Sequence, residues 1–136
     1  MERSDLKNYR ALVQEVRQLR EQLTALETSL YSPKSQRLSH TPAASGHVQD
    51  LSGAVARHLE LEAHYQERLA ARESWQLVIE HAIESLQDPG ERMVMRYRYI
   101  EGRGWSFIMA ALAPLGYSER QVYRMHGYAL LKLKEV

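Results

Sequence analysis

Residues 88–136 read DPGERMVMRYRYIEGRGWSFIMAALAPLGYSERQVYRMHGYALLKLKEV, and this stretch decides the fold. Asp88-Pro89-Gly90-Glu91 is a helix start, with Asp88 as N-cap, Pro89 at the first helical position and Glu91 three residues on to close a capping box. The helix that follows carries Met93, Val94, Tyr97 and Ile100 toward a core and Arg92, Arg96 and Arg98 elsewhere. It ends at Glu101-Gly102-Arg103-Gly104. A Gly-Arg-Gly run can suggest a phosphate loop, but no strand precedes this one and no lysine motif follows, so it reads as a turn. A short second helix runs from Trp105 to about Ala113, with Trp105, Ile108, Ala111 and Leu112 as core candidates. Pro114 and Leu115-Gly116-Tyr117 stop it. Ser118 restarts the chain as an N-cap with Gln121 placed for the reciprocal bond, and a third helix runs to the C-terminus.

A helical wheel separates the faces of that third helix. Val122, Met125, His126, Ala129 and Leu133 cluster within about 60° of their mean direction and form the core side. Arg120 and Arg124 point nearly opposite, one turn apart, flanked by Gln121, Tyr123, Gly127 and Tyr128. Two guanidinium groups and an amide on one exposed turn can read guanine or adenine edges and hold phosphates. Three short helices, the last basic in its N-terminal half, describe a helix-turn-helix. An ordinary three-helix bundle with a solvated basic face has the same pattern.

Working outward, the chain reads as all-α, with long coiled-coil-like helices before this module. We divide it into an N-terminal helix (1–31), a linker (32–48), a second long helix (49–87) and the helix-turn-helix segment (88–136). In the first helix Tyr9, Val16, Leu23 and Leu30 recur every seven residues, with Leu12, Leu19 and Leu26 three residues after the first three. Glu15 and Arg20 then take the g and following e positions of an ion pair across a parallel dimer. The Tyr9–Leu30 seam therefore predicts either a homodimer or an intramolecular hairpin with the second long helix. The linker is rich in Ser, Pro and Gly. In the second helix Leu51, Val55, Leu59, Tyr65, Leu69, Ile79, Ile83 and Leu86 give an imperfect stripe, and Trp75 reads as a large core anchor. His58 and Glu62 are one turn apart with no converging second pair, so they read as solvated or locally paired side chains.

Composition narrows the classes. The chain has 136 residues and no cysteine, which excludes disulfide scaffolds, Cys-ligated zinc, iron–sulfur centres and thiol nucleophiles. No apolar run approaches a membrane span and the first residues lack a signal-peptide core, so a soluble cytoplasmic protein with no membrane partner is expected. No metal-ligand spacing, carboxylate pair or Ser–His arrangement marks an enzyme, and no cofactor is expected. Net charge is +1, but residues 88–136 hold 8 Lys+Arg against 5 Asp+Glu. That asymmetry fits a polyanion partner and equally a solvated helix face.

The ordered set from the Asp88-Pro89 start, through Arg98-Tyr99-Ile100-Glu101-Gly102, Trp105 and Ile108, to Ser118, Val122, Arg124, His126, Ala129, Leu130 and Leu133, resembles the fourth region of bacterial sigma factors. It is similar in particular to small phage-encoded relatives, including the RinA/ArpU kind of late-gene transcriptional regulator. The resemblance covers residues 88–136. It implies that the helix opened by Ser118 enters the major groove of promoter-like DNA, with Arg120, Gln121 and Arg124 as base or phosphate contacts. Glu119 would accept from a cytosine amino group, and Arg103 and the first turn of the second helix would lie near the backbone. Tyr123 stacks on sugar or packs on the preceding helix, and His126 matches a core position more than a contact. The Ile108–Gly116 connection is longer than in that family, which implies an extra helical turn or a longer loop. Phe107 stands where an acidic residue is common, which implies a surface for a partner protein.

The resulting expectation is a sequence-specific, double-stranded-DNA-binding regulator of phage or prophage origin in a bacterial cytoplasm, with Arg103, Ser118, Glu119, Arg120, Gln121, Tyr123 and Arg124 as its DNA-binding residues. RNA polymerase is an expected further partner. The alternatives are a small-terminase-like packaging oligomer and a polymerase- or sigma-binding protein without DNA contact.

Overall fold

The computed structural model describes residues 1–31 and 44–135, and every regular element among them is helical. In chain order they are α1 (Arg3–Tyr31), α2 (Ala44–Glu84), α3 (Pro89–Met95), α4 (Trp105–Leu112) and α5 (Glu119–Lys134). A π-helical turn (Arg96–Ile100) extends α3, and a 3₁₀ turn (Ala113–Leu115) follows α4. Of the expected 32–48 linker, residues 32–43 lie outside the described residues. Residues 44–48 are already helical, so α2 starts earlier than the Ser/Pro/Gly content implies. The single Gly46 sits in the opening turn of α2, where its cost of about 1 kcal/mol relative to alanine does not stop propagation.

The helices assemble into two compact units, one of Met1–Val13 with Arg72–Val136 and the other of Gln14–Ala71. The three C-terminal helices therefore belong to a unit larger than residues 88–136. Within it α3 is buried on two sides. On one side Met95 and Tyr99 join Leu6, Tyr9 and Val13 of α1 and Ile79, Ala82 and Ile83 of α2, together with Leu86, Ala129 and Leu133. On the other side Val94 packs with Ile108, Leu112, Val122 and Met125. Met93, Tyr97 and Ile100, expected in the core, lie at its margins, half-buried. At Gly90 α3 comes close against α5, since a Cβ there would stand 2.6 Å from the Met125 sulfur.

Two expectations for this unit need correction. Trp75 is not a core anchor: it is 41% exposed and joins neither buried cluster, because Ile79, Ala82, Ile83 and Leu86 carry that face of α2. The capping box at α3 is also incomplete. Asp88 accepts from the Gly90 amide at 2.9 Å and Pro89 opens the helix, as expected. Glu91, however, is buried and takes both carboxylate oxygens to Lys132 Nζ of α5, at 2.8 and 2.9 Å. A carboxylate withdrawn from water needs a charged donor more than the N-cap amide does.

In the second unit α1 and α2 run antiparallel, as Glu27–His58 (3.1 Å) and Glu15–Arg68 (3.1 Å) show. Val16, Leu19 and Leu23 of the heptad seam are buried within the chain. Glu15 also lies 3.8 Å from His64, so its partners here are on α2. Along α1 the buried set Leu6, Tyr9, Val13, Val16, Leu19 and Leu23 includes Val13, which the seven-residue frame omits, while Leu12, Leu26 and Leu30 are only half-buried. Leu6–Val13 and Tyr9–Val16–Leu23 keep the seven-residue step, and Val13 is buried because it joins the core of the first unit with Leu6 and Tyr9. Leu51, Val55 and Leu59 of α2 are exposed, contrary to the stripe drawn through them.

Candidate nucleic-acid interface

The site is built on the start of α5. Gly116 ends the 3₁₀ turn in the left-handed region at φ 93°, a conformation glycine reaches without a Cβ clash. The Gly116 amide donates to Ala113 O at 3.0 Å, and the Tyr117 amide reaches back to Leu112 O at 3.3 Å. The stretch from Ile108 to Gly116 thus closes with a 3₁₀ turn after α4. Ser118 then caps α5. Its Oγ accepts from the Gln121 amide at 3.2 Å, while the Ser118 amide donates to Gln121 Oε1 at 2.8 Å, completing the expected box.

Val122, Met125, His126, Ala129 and Leu133 are the buried residues of α5, as the wheel predicts. Glu119, Arg120, Gln121 and Arg124 are exposed, with Ser118 at their head. Neither arginine enters an ion pair among the described residues, so both heads are available to an anion. The cap limits Gln121: its carbonyl oxygen is committed to the Ser118 amide, and only its NH₂ can donate outward. Two-point recognition of adenine by this amide would require the capping box to open.

Behind the exposed face stands an aromatic platform. The rings of Tyr123 and Trp105 are 5.1 Å apart, and Tyr123 remains 52% exposed. Tyr123 therefore packs on the preceding helix and still presents an open edge. Trp105 meets His126 edge-to-face at 4.9 Å and carries the Arg98 guanidinium over its ring at 4.5 Å. Tyr99 Oη and His126 Nε2 share a buried hydrogen bond of 2.9 Å. Burial, reinforced by Arg98 and Arg3, lowers the His126 pKa to about 4, so the ring is neutral at physiological pH. Burial likewise raises that of Tyr99. His126 is thus a core residue, as its position suggested.

Arg103 sits apart from α5, on the turn before α4. It lies 3.8 Å from Glu101 and stacks over the Phe107 ring at 4.3 Å. Phe107 in turn meets Tyr97 edge-on at 5.8 Å, so its exposed ring is partly claimed within the chain.

Arg98 was not singled out by sequence as a neighbour of the site, and Trp105 was placed near it only through the first turn of the second helix. The signal was weak: Arg98 falls off the core face of α3, but only the π turn brings it over an indole seven residues later. Among the described residues no cluster of three or more His, Asp or Glu could hold a metal ion, and no helix is long and apolar enough to cross a membrane. Compared with protein-family models, curated proteins and solved structures, the chain matches none.

Proposed function

We propose that this chain is a sequence-specific DNA-binding transcriptional regulator of phage or prophage origin, acting in the bacterial cytoplasm and reading the major groove with α5. The observation that carries this reading is the division of α5 into a fully buried stripe and an opposite face with two unpaired arginines, on a helix started by a complete capping box after a glycine turn. Arg120 and Arg124 supply bidentate donors for guanine edges or phosphates. The Ser118 hydroxyl keeps its proton free for a phosphate oxygen, and Glu119 can accept from a cytosine amino group. The ordered resemblance to sigma region 4 supports the same assignment and adds RNA polymerase as a partner. A single such module binds weakly alone, so a second half-site or the polymerase completes the affinity.

The test is selection of bound duplexes from a random pool, followed by fluorescence anisotropy on the enriched and a scrambled duplex. Each of Arg120→Ala and Arg124→Ala is expected to lose about 1–3 kcal/mol on the enriched site if it reads a base, with relaxed preference at that position. Failure of the wild-type chain to enrich any sequence, or to bind duplex at low salt, overturns the proposal.

A further inference from the structure

A second group of cations lies in the same compact unit as α5, on elements outside its three C-terminal helices. Arg3, Lys7 and Arg10 lie at i, i+4 and i+7 spacing on α1 and so share one flank of that helix. The core stripe of Leu6, Tyr9 and Val13 lies beside them, and Asp5, the acidic residue of the first turn of α1, falls on the other side of it. The Asp5 carboxylate is in any case occupied, accepting from the Glu2 amide at 2.9 Å.

Tyr9 of α1 packs in the same buried cluster as Tyr99, the residue after Arg98. Burial lowers the Arg98 pKa, with Arg10 adding to the effect, and burial followed by Arg98 and Arg3 lowers that of His126. Among the described ion pairs Arg68, Arg96, Arg103 and Lys132 each have an acidic partner, whereas Arg3, Lys7, Arg10 and Arg98 have none. Arg98 is nevertheless fixed, stacked on Trp105 at 4.5 Å and donating to Arg103 O at 3.4 Å. Through the Trp105–Tyr123 contact at 5.1 Å it is continuous with the exposed face of α5.

Like charges gathered without a counter-charge repel one another, and the arrangement is favourable once a polyanion lies across it. We infer that Arg3, Lys7 and Arg10 of α1, with Arg98 at the end of α3, hold the DNA phosphate backbone beside the groove that α5 reads. The first helix is then part of the DNA-binding surface. These contacts strengthen binding to every duplex alike and carry no sequence information. The inference rests on the DNA-binding reading above.

The experiment measures anisotropy of the full chain on enriched and scrambled duplexes over a range of salt concentrations. Each phosphate contact contributes about 0.9 to the slope of log K against log salt. The Arg3→Gln/Lys7→Gln/Arg10→Gln variant is expected to lose about 2–3 from that slope and to weaken on both duplexes, with the enriched-to-scrambled ratio unchanged. Arg3→Lys/Arg10→Lys, which keeps the charge, should keep the wild-type slope. Arg120→Ala/Arg124→Ala, by contrast, should reduce the ratio. A circular-dichroism melt identical to wild type confirms that the glutamine variant is folded; if its fold is lost, the single variants Lys7→Gln and Arg98→Gln are each expected to take about 1 from the slope. Wild-type binding with an unchanged slope in the folded variants overturns this inference and leaves the α5 reading intact. Absence of wild-type binding to any duplex overturns both.

Discussion

His126 shows how one buried side chain couples acidity to the integrity of the site. It links Tyr99 of the α3 extension to Trp105 of α4 and belongs itself to α5, so all three helices of the module meet on its ring. Its pKa falls from 6.5 to about 4 on folding because burial, then Arg98 and Arg3, disfavour the imidazolium. A depressed histidine pKa means that the unfolded chain binds the proton more readily. The stabilisation from neutral His126 is thus complete above pH 6.5 and is lost as the pH drops from there toward 4, on the order of 3 kcal/mol in total. His126→Gln retains a hydrogen-bonding partner for Tyr99 and does not titrate. Urea denaturation at intervals from pH 7 to pH 4 should show wild type losing more stability than this variant across that window. Parallel pH profiles for the two would show that the ring does not govern acid stability. The same residue was legible from the wheel as core, whereas its partner Tyr99 was not. The π turn advances the chain by one residue and brings Tyr99, rather than Tyr97 or Ile100, onto the buried side.

At the scale of elements, the junction between α4 and α5 rests on two local devices. Gly116 at φ 93° reverses the chain and Ser118 with Gln121 starts α5. Gly116→Ala forces an L side chain into the left-handed region and should cost about 1–2 kcal/mol. Ser118→Ala removes the cap and should cost about 1 kcal/mol. Chemical denaturation of each variant measures these losses; a Gly116→Ala protein as stable as wild type would mean that the turn does not need the positive φ. Ser118→Ala also releases the Gln121 amide, so a gain of preference for adenine at one site position would report the opened box. Starts and stops of this kind were legible because they depend on neighbours a few residues apart. The faces of α5 were legible for the same reason, its period being local. Glu91 was misread because its partner, Lys132, is on another helix, and a capping motif and a buried ion pair look alike in sequence.

At the scale of the whole molecule, the largest difference between sequence and structure is the extent of the folding unit. Local signals set the start of the module at Asp88, and its helices do begin there. Yet Met95, Tyr99, Ala129 and Leu133 are covered by Leu6, Tyr9, Val13, Ile79, Ile83 and Leu86, and the N-terminal amine of Met1 donates to Leu133 O at 3.0 Å. The chain that completes this core comes from its opposite end, and no periodicity reveals a contact at that separation. Burial of Leu6, Tyr9 and Val13 contributes roughly 1.5–3 kcal/mol each, a sum comparable with the whole stability of a small domain, about 5–15 kcal/mol. Residues 88–136 expressed alone should therefore keep helical content but lack fixed packing, with poorly dispersed amide resonances and a broad, non-cooperative melt. In the full chain the same resonances should be dispersed and lost in one transition. A well-dispersed spectrum from the isolated segment would show that the second hydrophobic cluster, around Val94, Ile108 and Val122, suffices. If the segment is molten as expected, α1 has two tasks under the proposed function: Leu6 and Tyr9 complete the core of the C-terminal helices, while Arg3, Lys7 and Arg10 on the adjoining flank are proposed to meet the DNA backbone. Glutamine at those three basic positions then separates the tasks, leaving the melt in place while the salt dependence changes.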